Sequence, residues 1–221
     1  MRKIVFVFAI LMSVFLMSSA MADVNVYPGN IVVFGHYEQD GNLNNGPEEI
    51  EWEVVSCDED IIVMISKYGL DCVPYHAYEG GATWENCTLR YWLNQTFLNT
   101  ALTPSQQNLL CSVQIANLPN PEFGTYAGAT TWDKVFIPGV QDIEMGFESF
   151  SMQTRPTRYA MQMGAHDDDE GRCWWWLRTP GKRPEKATHV TYKGKIYMEG
   201  TTCYGTSGTV RPCIVLNRKM L

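Results

Sequence analysis

The chain has 221 residues, 45% of them hydrophobic, and a formal net charge of −7 from 24 acidic against 17 basic side chains. That length suffices for one sizeable core. The acidic balance repels phosphate backbones and anionic headgroups, which excludes nucleic acid and the membrane surface as expected partners.

Residues 1–22 read as a signal peptide. Arg2 and Lys3 precede an apolar run from Ile4 to Met17, and Ala20-Met21-Ala22 has the small-residue pattern that signal peptidase accepts. The run is shorter than the roughly 20 residues a membrane span needs. The expectation is cleavage after Ala22 and a single exported domain over residues 23–221, secreted, at the cell surface or periplasmic, without membrane insertion. Loss of Arg2 and Lys3 moves the charge to −9. No repeat, low-complexity tract or charged linker marks a second domain.

In the first third, Ile31 to Phe34 is a short apolar run, Ile50-Glu51-Trp52-Glu53-Val54 alternates as a strand with one wet face does, and Ile61 to Ile65 is continuously apolar, as in a strand buried on both sides. The turn formers of Gly41 to Pro47 and Asp58-Glu59-Asp60 separate them, which predicts a meander. Helices come next. Leu89, Trp92, Leu93 and Phe97 share one stripe of a helix from about Thr88 to Leu98. Thr103-Pro104-Ser105-Gln106 has the residues of a capping box with proline in the first turn, predicting a second helix to about Val113. Leu118 to Thr131 reads as a long loop, Trp132 to Ile137 as one strand, and Val140 to Met145 and Thr157 to Met163 as short helices. Strands return at Cys173 to Arg178, Ala187 to Tyr192, Lys195 to Met198 and Thr209 to Leu216, with Lys193-Gly194 as a two-residue hairpin turn. The order predicts an α+β domain with a mostly antiparallel sheet, two main helices and long loops, whose last strands pair with its first.

All seven cysteines follow the leader, in a compartment that permits disulfides. The odd count leaves at least one thiol free or paired between chains, and the pairing stays open. Cys203 and Cys213, flanking the turn from Tyr204 to Gly208, are the first expectation for a bridge. The alternative is that most are small buried hydrophobes.

Three blocks carry a resemblance. They are Thr83-Trp84-Glu85 with Thr88-Leu89-Arg90, Trp92-Leu93-Asn94 and Phe97-Leu98; Asp133-Lys134-Val135-Phe136 with Arg158-Tyr159-Ala160; and Trp175-Trp176-Leu177-Arg178-Thr179-Pro180-Gly181 with Val210-Arg211-Pro212. Together they resemble an uncharacterised family of bacterial secreted and cell-surface domains, from about Phe34 to Leu216. More distantly that family resembles the C-type-lectin-like and formylglycine-generating-enzyme-like folds, although Thr209-Val210-Arg211 departs from their Gly-x-Arg. The resemblance implies a C-type-lectin-like α+β domain that serves recognition outside the cell, and no known reaction.

In an extended strand Trp174, Trp176 and Arg178 share one face, opposite Cys173, Trp175 and Leu177. Two exposed indoles a strand step apart would stack on sugar rings; the alternative is that both faces are buried. Arg90, Arg178 and Arg211 sit in apolar blocks, so each needs a carboxylate or carbonyl partner, with Glu85 and Asp133 expected first and Glu51 and Glu53 next. No cofactor is expected. Calcium at the acidic turn Asp167 to Glu170, joined by Glu79 and Glu85, is the one ion considered, and the turn lacks the spacing of a calcium loop. Cys72 and His76 do not complete a zinc site, His36 and His189 stand alone, and no nucleophile or phosphate-loop motif appears. These readings predict a non-catalytic module that binds a carbohydrate or a protein surface through Trp84, Trp174, Trp176 and Tyr204. Arg90, Asp133, Arg178, Arg211 and Glu85 form its ion-paired scaffold. The alternatives are an oxidase of the formylglycine-generating type and a structural display module.

Overall fold

The computed structural model describes residues 26–147 and 150–221, so the leader lies outside the described residues. Strands β1 (Ile31–Tyr37), β2 (Glu48–Cys57) and β3 (Ile61–Ser66) form the predicted antiparallel meander. The alternation in β2 does what it should: Ile50, Trp52 and Val54 are buried while Glu49, Glu51 and Glu53 face outward. The Trp52 indole N–H donates to the Phe34 carbonyl at 2.7 Å, which meets its polar requirement inside the core. Asp58 forms the turn into β3, its carboxylate accepting from the Asp60 and Ile61 amides.

Strand β10 (Cys213–Asn217) returns to pair with β3, and its other edge takes β6 (Val135–Phe136), giving the antiparallel order β1-β2-β3-β10-β6. The expected strand from Trp132 to Ile137 is divided. Its first part, β5 (Thr131–Asp133), pairs instead with β4 (Val113–Ile115). A third sheet, β7 (Trp175–Pro180), β8 (Lys186–Val190) and β9 (Ile196–Thr202), carries the tryptophan block. Its β8–β9 connection is a three-residue loop rather than a two-residue turn. Thr191 N–H bonds the Lys195 carbonyl and Gly194 N–H the Thr191 carbonyl, with Gly194 at φ 72°, the geometry of a turn followed by a bulge.

One main helix packs on β1. It runs through α1 (Thr88–Trp92), a π-helical turn (Leu93–Phe97) and α2 (Leu98–Ala101), burying Leu89, Leu93, Phe97, Leu98 and Ala101. The second expected helix shrinks to α3 (Pro104–Leu109). Its capping box is present, with the Thr103 hydroxyl accepting from Gln106 N–H and the Gln106 side chain from Thr103 N–H. It buries no side chain, and the chain leaves it because Leu110 and Cys111 pair with β10. Short helices α4 (Val140–Met145) and α5 (Arg158–Gln162) complete a mixed, mostly antiparallel α+β structure. No helix among the described residues is long and apolar enough to cross a membrane.

All seven cysteines are free. The expected Cys203–Cys213 bridge does not form: Cys213 lies between Ile65 and Phe136 in β10 of the five-stranded sheet, while Cys203 sits just past β9, its N–H bonded to the Glu185 carbonyl. Burial pushes the Cys72, Cys87 and Cys203 thiols up to about 12 and Cys173 to about 11. They behave as the small buried hydrophobes of the alternative reading.

Candidate recognition cleft

Strand β7 is buried on both faces, which corrects the expected indole platform. Trp174 and Trp176 do share a face, ring centroids 4.7 Å apart and edge to face. That face is covered by the glycine-rich segment 205–210. Gly208 presses on Trp174 so closely that a Cβ would come within 2.2 Å of the ring, and Thr209 bonds the Trp174 and Trp176 backbone. The Trp176 indole donates to the Val73 carbonyl and the Trp175 indole to Met152. Trp84 is also fully buried, 6.4 Å from Tyr75, which in turn lies 6.0 Å from Trp176. These indoles form an aromatic row through the core, and of the four expected contact residues only Tyr204 is exposed.

Each arginine has its partners, though not always the expected ones. Arg211 is fully enclosed beneath Trp175, its guanidinium 4.9 Å from the ring; it donates to the Ser66 and Ser151 carbonyls and reaches Glu53 at 3.8 Å. Burial lowers its pKa to about 10. Arg178 pairs with Asp142, a partner the sequence reading did not name. Asp142 is brought there by α4 and also caps that helix at Gly139. Among the described residues Glu85 meets no guanidinium with its carboxylate: its carbonyl accepts from Arg90, and its Oε2 accepts from Ala129 N–H at 2.9 Å. Glu51 pairs with Lys67.

The acidic turn is bridged from within. Arg172 spans Asp168 at 2.7 Å and Glu170 at 2.6 Å, so both carboxylates are engaged by one guanidinium. Among the described residues the one group of three carboxylates within common reach is Glu38, Asp40 and Glu48, and their oxygens already hold the amides of their own loop. His76 accepts from Thr88 N–H while Cys72 bonds the Thr206 carbonyl, so that pair is not gathered either.

The residues that do converge on solvent lie between α1 and β5. A cleft of about 380 Å³ is lined by Glu85, Arg90, Tyr91, Gln95, Trp132 and Asp133 among others. Asp133, fully buried, builds its floor: one oxygen accepts from Arg90 Nε at 2.6 Å, the other from the Trp84 indole at 3.0 Å and the Thr131 hydroxyl at 2.7 Å. Arg90 is held further by the Glu85 and Trp132 carbonyls. Against this rigid floor stand two walls, Tyr91 at 71% and Trp132 at 62% exposure. Sequence reasoning missed both. The signals were there: Tyr91 falls off the Leu89–Leu93 stripe, and in Thr131-Trp132-Asp133 the alternation that turns the two polar residues inward turns the indole outward.

A mixed α+β domain with a polar-floored, aromatic-walled cleft is the class these observations define. The chain belongs to the DUF6273 family, a domain of unknown function, whose profile matches residues 59–218. That span holds the cleft, the buried tryptophan strand and β10, and leaves β1 and β2 outside. Comparison with curated proteins and with solved structures gives no match.

Proposed function

We propose that the protein is an exported recognition module, C-type-lectin-like in its use of long loops around a binding face, which holds a carbohydrate in the α1–β5 cleft without catalysis. The observation that carries this reading is the pair of exposed rings, Tyr91 and Trp132, beside a floor immobilised by Arg90 and Asp133. Two flat rings flanking one cleft on a rigid scaffold suit stacking against a sugar ring at little entropic cost. A cleft of this size takes one or two sugar units. The long loop before β5 is pinned to the rim, where Ala129 N–H bonds Glu85. Export rests on the leader reading of residues 1–22. The oxidase alternative needs thiols poised as thiolates, and burial holds these the other way.

The test is retention of the purified chain on a glycan panel. Trp132→Ala and Tyr91→Ala, both at exposed positions, are expected to lose retention about tenfold, the equivalent of roughly 1.4 kcal/mol, while their far-UV spectra and unfolding midpoints match wild type. Undiminished retention by both folded variants would remove the cleft as the binding site.

A further inference from the structure

We infer that the ligand of this cleft is cationic, a protonated amino sugar, an inference that rests on the binding reading above. The argument is an account of charge. Arg90, the one cation lining the cleft among the described residues, is spent inward: Nε bonds Asp133, Nη1 the Glu85 carbonyl and Nη2 the Trp132 carbonyl. Its charge is cancelled by a fully buried carboxylate at 2.6 Å, so an acidic sugar finds no free guanidinium to clasp. The charge left over is Glu85. Its side chain is exposed, one oxygen takes the Ala129 amide, and no Lys, Arg or His among the described residues pairs with it. The cleft therefore carries one net negative charge at its rim.

The walls point the same way. The faces of Trp132 and Tyr91 attract a cation through their quadrupoles, most strongly at tryptophan. The long-range field agrees in sign, since the chain carries a net charge of −7. An amino sugar satisfies all three features: a ring to stack, an ammonium for Glu85 and the indole face, and hydroxyls for the Gln95 amide on the cleft wall. A lysine side chain offers the ammonium without the ring, so two flat walls favour the sugar.

The experiment titrates the full chain with glucosamine oligomers and with their fully N-acetylated counterparts of equal length, at low and high salt. The expected result is about tenfold tighter binding of the cationic oligomer at low salt, shrinking as salt screens the rim. Glu85→Gln keeps an acceptor for Ala129 N–H, so it should abolish that advantage and bring the two oligomers' affinities together. Equal affinities that Glu85→Gln does not alter would overturn the charge inference while the cleft reading stands, provided Trp132→Ala still weakens both. Failure of both oligomers to bind would overturn the amino-sugar assignment and leave the carbohydrate reading to the glycan panel, whereas Glu85-dependent binding of a lysine-rich peptide alone would overturn both.

Discussion

His189 shows how far one side chain's surroundings reset its chemistry. It projects from β8 between Trp174, 4.9 Å away, and Tyr197, 5.3 Å away, and its Nδ1 is buried with no hydrogen-bond partner among the described residues. Desolvation lowers its pKa from 6.5 to about 4. The unfolded chain takes up this proton near pH 6.5 and the folded chain only near 4, so the unfolded state binds more protons between them. The neutral imidazole's contribution is thus complete above pH 6.5 and is lost as pH falls through that window, up to about 3 kcal/mol in total. His189→Phe keeps the ring stack and removes the proton site. Urea unfolding of both proteins from pH 7 to pH 4 should show the variant gaining relative to wild type as pH falls. Parallel pH profiles would show that His189 stays solvated.

Among the elements, the π-helical turn at Leu93–Phe97 links the main helix to two sheets. Asn94, within it, accepts from the Lys134 and Val135 amides and donates to the Val135 and Arg90 carbonyls, at 2.8 to 3.2 Å. These bonds hold the joint where β5 gives way to β6, and with it the direction of Trp132. Asn94→Ala orphans two backbone amides, so it should cost about 2 to 4 kcal/mol in denaturant unfolding and weaken glycan retention, whereas a mere surface asparagine would cost under 1. The helix stripe and the Thr103 capping box were legible because their determinants lie within a few residues of one another. The break at Lys134 was not, since the side chain that makes it comes from 40 residues upstream.

At the scale of the whole molecule, the return of β10 to the first strands was readable from the order of elements, and the cover over the tryptophan strand was not. Alternation says which residues share a face; it is silent on what lies above that face, and here a glycine-rich segment supplies the lid over Trp174. The cysteine bridge misled for a related reason, as ten residues of separation carry the chain from Cys203, just past β9, to Cys213 in the five-stranded sheet. The outward turn of Trp132 was written in Thr131-Trp132-Asp133, but only the buried Asp133–Arg90 pair reveals which way the indole points. Central position also sets local stability. Amide hydrogen exchange should be slowest in β3 and β10, at Met64 and Ile214, and much faster in the two-stranded β4–β5 ribbon; similar protection in both would mean the five-stranded sheet is not the cooperative core. That sheet has a further cost in time. Asn217 pairs with Ile61, so about 150 residues separate the two partners. At roughly 5 to 20 residues per second, a ribosome needs about 8 to 30 s to deliver the second after the first. Throughout that interval the apolar ribbon Ile61–Ile65 has an unpaired edge, open to pairing with any other strand.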